Sequence, residues 1–284
     1  MQTRLNRVMQ MQLTPSNYYS HEANASYYSV SQIKQFIDCP SCAMAELRGD
    51  YARPKTTALL VGGYVDAYFS GEMEQFCEEN PEIFTKRGDL KADFVKANEI
   101  IARIERDELA IKMLGGKKQE IVTGQIDGFS FKAKLDVLLD GDQCRTIAER
   151  FPNMGELIFE DGAIVDMKIM KDFEPLYKPE EGRMHFITYW RYDLQGAVYQ
   201  EVVRLKLGRR LPCYILAATK QDPPDIRLFR VDQVDMDVQL DSLRRDLPDI
   251  DAIKQGIAIP ERCESCAWCR HSRVLTGAMG MELY

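Results

Sequence analysis

The spacing of apolar residues along the chain changes several times, and each change marks an element. From Ser29, the residues Ile33, Phe36 and Ile37 share one helical stripe. Gln32 stands where a capping box places its second partner, and Pro40 ends the helix just after Cys39. Helical spacing returns over residues 57–69 and, more heavily charged, over residues 91–113. The period then drops to two. QEIVTGQI and FSFKAKLDVLL flank Asp127-Gly128, the strongest short hairpin signal, and GAIVDMKIM predicts a later strand. Residues 141–161, between these strands, read as an inserted connection. After a Pro/Glu-rich loop over residues 175–182, the stripe Ile187, Trp190, Leu194, Val198, Val202 and Leu205 predicts one long core helix. CYILAAT and IRLFRV predict strands, residues 234–254 a helix, and a cysteine-rich segment follows. Residues 1–28 show no sustained period and read as an irregular arm. No internal repeat or low-complexity tract occurs.

The strand period carries the candidate chemistry. It puts Lys132, Lys134 and Asp136 on one face, with Phe129, Phe131, Ala133, Leu135 and Val137 on the other. On the later strand Ile164, Asp166 and Lys168 share a face opposite Val165, Met167 and Ile169. If the two strands are neighbours, two carboxylates and a lysine converge beside an apolar layer. Phosphodiester hydrolysis needs this set: carboxylate oxygens select Mg²⁺ or Mn²⁺, the ion polarises a phosphoryl oxygen and activates water, and an ammonium stabilises developing charge. Taken alone, these residues are equally the solvent faces of two amphipathic strands. Two further pairs add to them. Gly62 and Asp66, four apart, share a helical face, and the Gly62-Gly63 pair allows close approach of another backbone; Gln195 and Tyr199 share a face of the long helix.

Composition changes the picture in two ways. The chain has 284 residues, 45% of them hydrophobic, enough for one elaborated domain with a full core, and no run approaches a membrane span. With no apolar signal core near the start, a cytoplasmic protein is expected. The net charge of −7, from 44 acidic and 37 basic residues, argues against a general attraction to nucleic acid, so a DNA enzyme of this composition needs a local basic track. Arg183, His185, Tyr189, Trp190 and Arg191 could line such a groove, although Trp190 reads individually as core. The three histidines show no ligand spacing. The eight cysteines, in a reducing compartment, point to metal ligands or buried thiols rather than disulfides.

Taken in order, Asp66 in GGYVDAYF, Asp136 in KLDVLL, Asp166 and Lys168 in IVDMK, and Gln195 with Tyr199 in QGAVY resemble the RecB-type motifs of the PD-(D/E)XK nuclease superfamily. Within it they most resemble the phage exodeoxyribonuclease VIII (RecE-like) group. Asp66 stands where many relatives carry histidine. The resemblance spans residues 29–270 and implies a restriction-endonuclease-like α/β core, a mixed central sheet flanked by helices. Asp66, Asp136 and Asp166 would bind Mg²⁺ or Mn²⁺, Lys168 would be catalytic, and Gln195 and Tyr199 would orient the site or touch DNA. The activity implied is resection of linear duplex ends for phage-type recombination, with a single-strand annealing protein as partner and a homo-oligomer threading the duplex. A CRISPR-adaptation or repair nuclease, or a catalytically silent DNA-end-binding subunit, are the rival functions.

RCESCAWCRH supplies Cys263, Cys266 and Cys269, and Cys39 is the best fourth ligand for a tetrathiolate. One cysteine before the nuclease motifs and three after them resembles the iron–sulfur subset of RecB-like nucleases, AddB and the CRISPR adaptation nucleases among them, and implies a 4Fe-4S cluster. Zinc held by Cys39, Cys42, Cys263 and Cys266 is the competing reading. Cys77, Cys144 and Cys213 read as inert thiols. The domain plan is then an arm over 1–28, a nuclease domain over 29–272 whose ends the cysteine site closes, and a tail over 273–284.

Overall fold

The computed structural model describes residues 11–154, 161–179, 181–275 and 277–278. The 155–160 part of the inserted connection, Glu180 and most of the tail lie outside the described residues. Residues 1–10 of the arm also lie outside the described residues, and the part over 11–28 is more ordered than its missing period suggests. Ser20 caps a short helix, α1 (His21–Ser26), and Tyr28 bridges to Phe131. Its anchor is Lys132, only 1% exposed, whose ammonium donates to the carbonyl of Tyr18 and, at 2.8 Å, to Asn24 Oδ1. Lys132 therefore lies beneath the arm and away from the site that strand period assigned it to.

Ser29 Oγ accepts from the Gln32 N–H and opens α2 (Val30–Asp38), a cap that contributes ~1 kcal/mol. The Gln32 side chain bonds Asn24 O instead of closing the box. Pro40 does more than end this helix. It is the first residue of α3 (Pro40–Arg48), so Cys39 is at once the C-cap of one helix and the N-cap of the next. Next come α4 (Thr57–Ser70), α5 (Met73–Glu79), α6 (Ala92–Glu105) and α7 (Glu108–Met113). The single helix expected over 91–113 is split because Asp107 turns out of helical geometry and caps Ala110.

The strands β1 (Lys117–Ile126) and β2 (Phe129–Asp140) form the expected hairpin, joined by Asp127 (φ 48°) and Gly128 (φ 88°). Two positive φ values match the turn whose twist fits a right-handed ribbon. Asp140 then closes a complete capping box on α8 (Gly141–Arg150), which fills part of the inserted connection. After β3 (Gly162–Met170) come a small hairpin of β4 (Leu176–Lys178) and β5 (Gly182–Met184), α9 (Phe186–Tyr189) and α10 (Tyr192–Leu207). The expected long helix is broken at Arg191, whose φ of 51° separates α9 from α10 and leaves Trp190 48% exposed. Finally β6 (Cys213–Thr219), β7 (Ile226–Arg230), α11 (Gln233–Lys254) and α12 (Ala267–His271) complete the described chain.

The main sheet runs β1-β2-β3-β6-β7, with only β3 and β6 parallel. A parallel neighbour requires a crossover, and the segment through α10 supplies it. One core cluster lies between the sheet and α2, α10 and α11, and includes Ile33, Val198 and Leu243; the other, with Val65, Ile100 and Ile147, lies under α4, α6 and α8. All seven residues of β6 are buried, Ile215 and Ala217 towards the first cluster, Tyr214 and Leu216 towards the second, which explains the unbroken apolar run CYILAAT.

Candidate active site and cysteine centre

The faces of β2 do not alternate throughout. Phe131, Ala133 and Leu135 belong to one core cluster but Val137 and Leu139 to the other, so the strand turns over at Asp136. The β1–β2 ladder is interrupted there, passing from Lys118↔Val137 to Glu120↔Leu135, and the skipped β1 residue, Gln119, is held at φ 52°. Val137 and Val165 are paired on antiparallel β2 and β3, which places Asp136 and Asp166 opposite each other one step along. The Met167 N–H donates to Asp136 Oδ2 at 2.9 Å and fixes that carboxylate. On β3 the expected alternation holds: Val165, Met167 and Ile169 pack on the second cluster, while Asp166, 7% exposed, faces the other way with Lys168.

Asp166 is the hub. Its Oδ2 pairs with Lys168 Nζ, and its Oδ1 accepts from Gln195 Nε2 at 2.7 Å. Gln195 Nε2 also lies 3.3 Å from the Tyr199 hydroxyl one turn along α10. Asp66 reaches in from α4, both its oxygens accepting from Gln119 Nε2 at 3.3–3.4 Å. On the same helix the glycine pair has another use than expected: a Cβ at Gly63 would lie 2.8 Å from the Phe76 ring, while Gly62 faces open space. What approaches α4 is a side chain, not a second backbone.

The electrostatics are those of an acidic cluster with one close cation. Burial, and then the neighbouring Asp166 carboxylate, push Asp136 well above the ordinary carboxyl range. Burial raises Asp66 as well, against the pull of Lys134 and Lys168. For Lys168 burial opposes charge, but Asp166 and Asp136 outweigh it and hold the ammonium above its usual value. A cation between Asp66 and Asp136 would relieve the repulsion that burial and neighbouring carboxylates impose on them. Carboxylate oxygens, with no nitrogen or sulfur donor beside them, are the donor type that suits Mg²⁺ or Mn²⁺.

Two residues at the site carried no signal in the pattern. Lys34 of α2 donates to Gln195 Oε1 at 3.3 Å, and burial, then repulsion from Lys168, hold it down to about 7. Both lysines lie over the Tyr192 ring, Lys34 Nζ at 4.9 Å and Lys168 Nζ at 5.1 Å from its centroid. Lys34 borders an apolar stripe like any helix-edge lysine, and 161 positions separate it from Gln195. Of the expected groove residues, Arg191 pairs with Asp38 at 2.7 Å and His185 caps α9 through Nδ1.

At the far end of α2 the four expected cysteines meet. The sulfurs of Cys39, Cys263, Cys266 and Cys269 all lie within 4.8 Å of one another. Closest contacts are 3.6 Å for Cys39–Cys269, 3.9 Å for Cys39–Cys266 and 4.0 Å for Cys263–Cys269. Backbone N–H groups of Cys42, Cys266 and Cys269 point at the sulfurs of Cys39, Cys263 and Cys266 at 3.3–3.4 Å. Such bonds favour thiolates. Burial raises Cys263, but the Ser265 hydroxyl and backbone N–H bonds prevail and bring it down to about 6. The competing set that includes Cys42 is not assembled, since that thiol turns to Glu46 Oε1 and Arg53 Nη2, each at 3.6 Å. Cys77, Cys144 and Cys213 lie outside the cluster.

A mixed sheet between two helical layers, with an aspartate on one strand facing an Asp-x-Lys triplet on the next, defines a PDDEXK nuclease-like fold. The chain belongs to the family described as the PDDEXK-like domain of unknown function (DUF3799), whose profile matches residues 29–146 and 153–272. A crystal structure of a candidate exonuclease from Eubacterium rectale superposes with a TM-score of 0.87 and 43% sequence identity, covering 96% of this chain and 98% of that one. No curated protein matches the chain. Among the described residues no helix is long and apolar enough to cross a membrane.

Proposed function

We propose that this protein is a divalent-metal-dependent exodeoxyribonuclease that degrades linear duplex DNA from its ends. The observation that carries the reading is the network at Asp166, where one carboxylate meets Lys168 and Gln195 beside Asp136 and Asp66. Asp66, Asp136 and Asp166 would hold Mg²⁺ or Mn²⁺, which supplies Lewis-acid polarisation of the phosphoryl oxygen and an activated water. The Lys168 ammonium presents positive charge where a phosphoryl group meets these carboxylates, and it is already oriented, so no reorganisation is needed as charge develops. Gln195 holds the Asp166 carboxylate in one rotamer and is itself held by Lys34 and Tyr199.

The named exonuclease relationship of the Eubacterium rectale neighbour supports end-directed cutting, and the resemblance to the RecE-like group supports resection for recombination beside an annealing protein, in a ring-like homo-oligomer. End-labelled linear duplex and covalently closed circles test this directly. With Mg²⁺ the linear DNA is digested, circles persist and EDTA stops the reaction. Rapid linearisation of circles would instead make the enzyme an endonuclease.

The cysteine centre is read as a structural metal site closing a nuclease domain over 29–272. A 4Fe-4S cluster is what the family resemblance implies. One observation favours a single ion such as zinc: a tetrahedron with ~2.3 Å metal–sulfur bonds has sulfur–sulfur edges of roughly 3.8 Å, and here three contacts are 3.6–4.0 Å with all four sulfurs within 4.8 Å of one another. A cubane sets an iron corner between each thiolate and the centre, and so spreads the sulfurs further.

A further inference from the structure

Beyond Lys168 the end of β3 leads to a cavity of about 490 Å³, walled by Met170, Pro175, Leu176, Trp190 and Tyr192 with Lys171 at its rim. That volume is within the ~300–1,000 Å³ typical of ligand sites. Tyr192 is common to both places, because the ring that lines the cavity also lies 5.1 Å from Lys168 Nζ. Trp190 is held outward by its surroundings. Its ring packs edge-on against Tyr189 at 4.8 Å, and the next residue, Arg191, takes a left-handed conformation clamped by Asp38. A non-glycine residue at positive φ costs energy and is kept where the surroundings impose it, often at functional sites. The result is a large aromatic face open to an apolar recess next to the proposed active site, an arrangement folding alone does not call for.

Resting on the nuclease reading above, we infer that this cavity receives an unpaired nucleobase of the strand being cut, stacked on Trp190, while its phosphate lies towards Lys168. Asp172 and Glu174 also line the recess and make it a poor place for a phosphate. A base has no net charge and always offers a π-face to an indole. In intact duplex that face is covered by the neighbouring base pair, so the occupant is a nucleotide already separated from its complement.

The chain has two tryptophans, and Trp268 lies at the cysteine centre, stacked near Tyr51 and bonded to Ser41. In a full-length Trp268→Phe variant, Trp190 is therefore the sole indole reporter. Fluorescein-labelled single-stranded DNA is titrated by anisotropy in buffer without divalent cation, and indole emission is followed with the unlabelled strand. Trp190 emission is expected to be quenched on binding. In the otherwise native chain, Trp190→Ala should weaken binding about tenfold, equivalent to ~1.4 kcal/mol, and Trp190→Phe should restore most of it. An oligonucleotide with abasic ends should bind wild type and Trp190→Ala alike. DNA bound with unchanged Trp190 emission, or equal affinities of wild type and Trp190→Ala for the ordinary strand, overturns the nucleobase site and leaves the nuclease reading intact. No binding of the single strand by the wild type also overturns the nucleobase site, while the digestion of linear duplex with Mg²⁺ decides the nuclease reading separately.

Discussion

Asp136→Asn should make the metal-free protein more stable while abolishing its activity. Asp136 faces two carboxylates, Asp166 and Asp66, and one ammonium, Lys168, so one repulsion is left without a counterpart. At ~5 Å and an effective dielectric of about 20 a like-charge pair costs roughly 3 kcal/mol, which partial exposure to solvent reduces to about a third or a half. Asparagine keeps an oxygen to accept the Met167 N–H and removes only the charge. A net gain of ~1–2 kcal/mol corresponds to a rise in Tm of about 2–8 °C for a chain of this size. The sign with pH follows from the raised pKa of Asp136. Its protonated form favours the folded state, so its contribution is fully present below the unfolded value of 3.8 and is lost as pH rises through the folded value. The stability gap between variant and wild type is therefore closed in acid and opens towards neutrality. Thermal melts with EDTA across this range measure it, and melts with Mg²⁺ add a second reading, because binding to the native state alone raises stability by ~2.7 kcal/mol at a hundred times Kd. Wild type should gain from Mg²⁺ and the variant should not. An Asp136→Asn protein less stable than wild type in EDTA at neutral pH would refute the reasoning.

Lys168→Ala should bind DNA yet cut ~10²–10³-fold more slowly, and Lys168→Arg should rescue it poorly because guanidinium differs in size and shape; single-turnover rates equal to wild type would reduce this lysine to a counter-ion. For Lys34, held down to about 7 against 10.5 unfolded, the unfolded chain binds the extra proton between those values, so its contribution to stability grows with pH across that window and is lost as pH falls through 7. Lys34→Met should cancel a slope of up to ~1.4 kcal/mol per pH unit in denaturant-derived stability, and parallel profiles for variant and wild type would contradict the burial of that ammonium. Replacing Cys39, Cys263, Cys266 or Cys269 by Ser should destabilise the chain, because linking positions 263 − 39 = 224 apart constrains the unfolded state by roughly 5 kcal/mol in the chain-entropy model. Metal and sulfide analysis of anaerobically purified protein separates zinc from iron–sulfur, and four thiols freely alkylated in the native state would remove the site altogether.

Much of the candidate site was readable because it sits on β-strands, whose period of two is local. Asp166 and Lys168 share a face whatever the strand packs against. The turnover at Asp136 was not readable, since a period of two carries no mark of where it breaks, and the left-handed Gln119 across the interrupted ladder has no sequence signal of its own. Lys34 and Tyr192 were missed for a related reason: their roles arise from contacts across the fold, and a lysine at a helix edge looks the same whether it faces water or an amide. Trp190 was assigned to the core because Ile187, Trp190 and Leu194 keep helical spacing, and the spacing carries no trace of the break at Arg191. The cysteines were legible as a group through their short repeat, whereas the exclusion of Cys42 required Glu46 and Arg53 to be in view.

If Asp166 organises a metal-dependent nuclease site, removing its carboxylate removes turnover. Purified wild type and Asp166→Ala, matched for folding by circular dichroism, are incubated with uniformly labelled linear duplex and Mg²⁺, and release of acid-soluble nucleotide is followed. Steady release is expected from wild type, none with EDTA, and none above background for Asp166→Ala at any Mg²⁺ concentration. Near-wild-type release by a folded Asp166→Ala protein would contradict that role of Asp166.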